Sequence, residues 1–145
     1  MAETLGSLCD KLTIVKLKQY HSEDCQRLNS LAQQQDQLIA EIEEFILDAV
    51  SGKIPVNKLT FRSNKVYKIK NNEIQAIKGT IGSIFSNLAE VNCLLWHEQE
   101  KVYDFEKVAI SDKDLVVKQL ATLNLQRTNC IDEIDVTLVK LISSV

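Results

Sequence analysis

Between Gly6 and Gly52 the chain contains neither glycine nor proline. Over that span the apolar residues fall at Leu28, Leu31, Leu38, Ile42, Phe45 and Ala49, with Gln35 in one seam position. The alternating spacing of three and four places them on one face of a helix, near the heptad period. Leu5, Leu8, Leu12 and Val15 precede them on the same spacing. The polar stretch 18–24 joins the two blocks and carries no breaker residue, so the span 7–50 reads as one rod, with a bend there as the alternative. Ser51-Gly52 is a glycine stop. With 4 Gly and 1 Pro in 145 residues, the chain lacks the turns that a β-sandwich or an α/β fold would need.

Two further stripes follow. Ile77, Ile81, Ile84, Leu88, Val91, Leu95, Val102 and Phe105, with Glu98 among them, predict a helix over 77–107. Val116, Leu120, Leu123, Cys130, Ile134 and Leu141, with Arg127 and Thr137 in the seam, predict a helix over 112–143. Ser111 reads as its N-cap and Asp114 as the acidic third position of a capping box. The short connection makes these two helices antiparallel neighbours. The expected architecture is all-α, a bundle of long antiparallel helices forming a single helical domain over 1–145. A loop over 51–72 carries a basic segment, and a fourth helix from 59–76 or a dimer would close the core.

Charge is unevenly spread. Residues 53–78 hold seven basic side chains against Glu73, a net +6, which leaves −9 on the rest of a chain of net charge −3. Such a segment pairs with the chain's own acids or stays solvated; the sharper reading is an anion site for phosphate, glycan or nucleic acid. Nucleic acid is not the expected partner of so acidic a body. The start lacks a basic region followed by an apolar one, and no apolar run is long enough to span a membrane, so a cytoplasmic location is expected. Cys9, Cys25, Cys93 and Cys130 form no C-x-x-C pair and read as small buried hydrophobes of a reducing compartment.

No catalytic motif appears. There is no H-E-x-x-H, no G-x-S-x-G and no phosphate-cradling glycine loop. Neither histidine belongs to an E-x-x-H pair, so a di-metal centre lacks its ligands. Nothing in the sequence asks for a metal or a cofactor. Glu41, Glu43, Glu44 and Asp48 read as a solvated face. Arg127 is the most informative seam residue, because a buried guanidinium has to be paired. Counted from the turn near residue 109, it falls opposite Val91, with Glu90 and Asn92 in reach. It either fixes register or forms an inward anion site.

The C-terminal half resembles a known family. Asn92-Cys93-Leu94-Leu95-Trp96-His97-Glu98-Gln99-Glu100 is similar to that family's N-x-x-L-W-H-x-E-D segment. Asn124-Leu125-Gln126-Arg127-Thr128-Asn129, followed by Ile131, Ile134 and Asp135, is similar to its N-x-x-R-[NT]-[DN] segment. The opening Asp10-Lys11-Leu12-Thr13-Ile14 resembles a D-K-L-T-I start seen in the same proteins. The family comprises small helical bacterial proteins with no assigned reaction, many encoded beside glycosyltransferases of surface-polysaccharide synthesis. Gln99 stands where the family has Glu, and Tyr103 where it often has Arg.

Two functions are therefore expected. The first is a non-enzymatic, homo-oligomeric helical accessory protein, linked through the resemblance to enzymes of cell-surface polysaccharide synthesis. The second is a small-ligand-binding protein or enzyme using a polar layer between the two C-terminal helices, formed by Asn92, Trp96, His97, Glu100, Asn124 and Arg127, in which a histidine and a carboxylate could move a proton.

Overall fold

The computed structural model describes residues 2–61 and 79–144. Among them are four α-helices and no strand: α1 (Leu5–His21), α2 (Cys25–Val50), α3 (Ile81–Tyr103) and α4 (Ile110–Ser143). Single 3-10 turns sit at Val56–Lys58 and Phe105–Lys107. The protein is an all-α bundle. No helix among the described residues is long and apolar enough to cross a membrane.

The first rod is broken. α1 ends at His21, Ser22 is extended, and Asp24 caps α2 by accepting from Gln26 N at 3.1 Å. The Asp24 side chain offers the backbone a partner outside a continuing helix, so this turn needs neither glycine nor proline. α2 folds back along α1, with Lys16 Nζ donating to Gln35 Oε1 at 2.8 Å. Thr4 opens α1 with a reciprocal capping box to Ser7. Gly52 stands past the end of α2 at φ 80°, the left-handed conformation expected of a glycine stop.

Other boundaries also move. α3 starts later than residue 77, behind the N-cap Thr80, and ends at Tyr103, where Asp104 leaves the helical region; Phe105 to Lys107 belong to the 3-10 turn. α4 starts earlier than Ser111. Ala109 is its N-cap and offers no side-chain hydrogen bond. Over residues 51–61 the chain after α2 is irregular apart from its 3-10 turn, and of the seven basic residues expected in the segment only Lys53 and Lys58 lie there. Lys65, Lys68 and Lys70, most of the expected basic segment and the suggested helix over 59–76 beyond its first three residues, which are not helical, lie outside the described residues.

α1 is the hub. It runs antiparallel to α2 and α4 and parallel to α3, and it packs against all three. Burial follows the stripes. Ile84, Leu88 and Val91 of α3 and Val116, Leu123, Cys130 and Ile134 of α4 are buried. Near the end of α4 the buried face turns from the expected Leu141, which is exposed, to Leu138. A straight helix of 3.6 residues per turn drifts away from a seven-residue repeat in this way. The main core gathers Leu5, Ala49, Leu59, Ile84, Leu88, Cys130, Ile134 and Leu138 at the end of the bundle where α1 begins. There Gly6 meets α4 so closely that a Cβ would strike Ile131 O. Its amide donates to Asp135 Oδ1 at 2.7 Å.

Of the cysteines, Cys130 is buried and Cys9 half-buried, as a small hydrophobe should be, but Cys25 and Cys93 are exposed. Cys25 is the first residue of α2, ahead of its apolar stripe, and Cys93 lies midway between the stripe residues Val91 and Leu95, where the helix turns its side chain outward.

Candidate functional site

Directly above the main core, a polar network ties three helices together. Arg127 of α4 reaches α1 rather than α3. Its Nε donates to Asp10 Oδ1 at 2.8 Å and its second guanidinium nitrogen to Asp10 Oδ2 at 2.5 Å. This is a two-pronged guanidinium–carboxylate fit, the strongest hydrogen-bonding geometry available to arginine. Asn92 of α3 completes the set, its Nδ2 donating to Asp10 Oδ1 at 3.0 Å and to Thr13 Oγ1 at 2.6 Å. Thr13 in turn donates to the backbone carbonyl of Asp10 at 2.7 Å. The Asp10 side chain is 7% exposed and that of Arg127 32%. The pairing holds the guanidinium in its charged form: the bond to Asp10 raises its pKa against the opposing effect of burial.

Arg127 is thus not paired with Asn92 directly, as expected, but meets it through Asp10 Oδ1, which both bind, while Glu90 is exposed. The acid comes from α1, 117 residues away in sequence, where no count of turns between α3 and α4 could find it. The only sequence signal was the D-K-L-T-I segment, which contains both Asp10 and Thr13. Residues from all three segments of the family resemblance meet in this network. Asn92 Oδ1 is buried there without a hydrogen-bonding partner.

The other expected site residues separate from it. Trp96, one turn along α3, stacks on His21 at the end of α1, with ring centroids 4.7 Å apart and planes 8° from parallel. Its Nε1 donates to Glu100 Oε1 at 2.9 Å. His97 stands edge-on to His21 at 6.4 Å, and its Nδ1 lies 4.0 Å from Glu100 Oε2. With side chains 65% and 55% exposed, that pair is largely screened by water. Asn124 joins neither group; it bonds back to Leu120 O at 3.0 Å and faces solvent. Glu98 is half-buried and pairs with Lys101 at 2.8 Å. His21 was absent from the expected set, although its segment echoes the one containing Trp96 and His97.

Among the described residues, three clefts lie along α1. An apolar groove of about 860 Å³ is lined by Leu12, Leu17, Ile39, Phe85, Ala89 and Cys93, among others. A cleft of about 390 Å³ between α1 and α2 has Asp10 and Arg127 in its wall. A third, of about 430 Å³, lies beside Trp96. Among the described residues no group of three or more His, Cys, Asp or Glu side chains is placed to hold a metal ion.

Fold and site together define an all-α protein in which, among the described residues, the first of four helices is locked to the fourth by a buried arginine–aspartate pair and to the third by Asn92. No family model, curated protein or solved structure matches this chain.

Proposed function

We propose that this chain is a non-enzymatic helical accessory protein that works by association, with a second copy of itself as its first partner. The observation that carries this is the apolar groove. α2 packs on α1 but barely touches α3, and the gap exposes Leu12, Leu17, Phe85 and Ala89 along α1 and α3. Tyr20 and Ile39 stand at the rim, 86% and 44% exposed. An open apolar surface of this kind marks an interaction site. Groove and projecting side chains belong to one face, as a two-fold contact between identical chains requires.

The polar layer supports this reading rather than chemistry. Arg127, the residue best suited to bind an anion, has its fork occupied by Asp10. The network acts as a fixed strut that sets helix register. A service to enzymes of cell-surface polysaccharide synthesis is part of the proposal, supported by the resemblance of the Trp96-His97 and Asn124-to-Arg127 segments.

Sedimentation equilibrium tests the association. Wild-type protein should have at least twice the 16.4 kDa chain mass at high micromolar concentration. Ile39→Glu should return it to one chain with an unchanged helical circular dichroism spectrum. A wild-type monomer under those conditions refutes the proposal.

A further inference from the structure

We propose that the cleft beside Trp96 binds a small phosphate-bearing molecule, with Lys18 and Arg27 holding the phosphate and the stacked Trp96–His21 pair flanking its organic part. This goes beyond the association argued above and involves a different face. Lys18 and His21 enter the cleft from α1, Ser22 from the turn, Arg27, Ser30 and Gln34 from α2, and Trp96 from α3. Its volume of about 430 Å³ is that of an ordinary small-molecule pocket.

The charge of the lining is one-sided. Among the described residues both cations line this cleft and no carboxylate does, although Lys18 also borders the neighbouring cleft that holds Asp10 and Glu41; neither Lys18 nor Arg27 makes an ion pair among the described residues. The nearest acids in sequence are otherwise disposed: Asp24 caps α2, and Glu23 is exposed. Arginine supplies a planar fork for two phosphate oxygens and lysine a mobile point charge. Ser30 and Gln34, themselves linked at 3.3 Å, offer a hydroxyl and an amide at the same wall. The aromatic pair provides a flat wall against which a base or the apolar face of a sugar packs.

Trp96 is the single tryptophan of the chain, so its emission reports on this cleft alone. The full-length protein would be titrated with inorganic phosphate, ribose 5-phosphate and uridine monophosphate, each at constant ionic strength, with sodium chloride as the blank. A saturable emission change with at least one phosphate and none with chloride is expected, with phosphorus NMR line broadening of the same ligand as an independent readout. A response to ribose 5-phosphate and uridine monophosphate but not to inorganic phosphate assigns the organic part to Trp96. Arg27→Gln and Lys18→Gln, both at exposed positions, should keep the wild-type melting temperature and weaken binding at least tenfold each. No saturable response to any of the three probes overturns the proposal, and so does equal binding by both folded variants.

Discussion

Removing the guanidinium of Arg127 should do more damage than removing the carboxylate it binds. The Asp10 side chain is 7% exposed, against 32% for Arg127. In Arg127→Met, Asp10 keeps only the Asn92 contact at 3.0 Å and remains a buried charge. Breaking a buried pair from one side costs roughly 3–5 kcal/mol. The partial exposure of the pair favours the lower end, about 3 kcal/mol. For a chain of 145 residues the unfolding entropy is about 0.3 kcal/mol/K, so the melting temperature should fall by about 10 °C. In Asp10→Leu the stranded cation is already one-third in water and can turn outward, so the loss should be about half as large. The double variant Asp10→Leu with Arg127→Met replaces the pair by alkyl chains and should return to within roughly 1 kcal/mol of wild type. Thermal unfolding of the four proteins at pH 7 forms a double-mutant cycle with a coupling energy of about 2 kcal/mol or more. Additive losses, or an Arg127→Met variant that melts within a few degrees of wild type, would refute the strut argument.

Burial pushes the Asp135 carboxyl up to about 6, outweighing its bonds to the Gly6 amide and the Thr4 side chain, and neighbouring Asp132 adds to the rise. The folded state therefore holds this proton more tightly than the unfolded chain, and stability from this group falls as pH rises from about 4 to about 6. Asp135→Asn, which keeps an oxygen for Gly6 N, should flatten that dependence and raise stability at pH 7.5 by up to roughly 3 kcal/mol; a variant that is less stable there than wild type would contradict the assignment. For the cysteines, Cys25 and Cys93 are exposed, while burial raises the thiols of Cys9 and Cys130 to about 11 each. A chromogenic thiol reagent at pH 8 should thus find two fast thiols in the native protein and four after denaturation; four fast thiols in the native state would refute this.

The helical stripes were legible because they are local. A side chain's place on a helix depends only on its distance from neighbours a few positions away, and Ile84, Leu88, Cys130 and Ile134 fell where their spacing put them. The break at Ser22 to Asp24 was not legible from breaker residues, since it relies on a cap at Asp24 rather than on glycine or proline. Half of the candidate site was readable for a similar reason: Asn92 and Arg127 lie on helices joined by a short turn, and counting from it brings them level. Asp10, Thr13 and His21 were not, because nothing in the spacing of α1 says which helices it will lie between. The open groove was equally hidden, as it depends on two helices that meet at one end and part along the rest.

Because α1 is the hub, its fastenings are late in the chain. The Gly6–Asp135 contact spans 129 residues and the Asp10–Arg127 pair 117. At a synthesis rate of about 5–20 residues per second, roughly 6–25 s pass between the emergence of the first helix and that of its last partner. During that interval the side of α1 that α4 will cover stays open. The nascent chain is then a client for chaperones and for premature pairing with another copy. A message truncated before residue 127 would leave that exposure permanent, so nonsense changes late in the coding sequence should produce insoluble or degraded protein rather than a shortened working one.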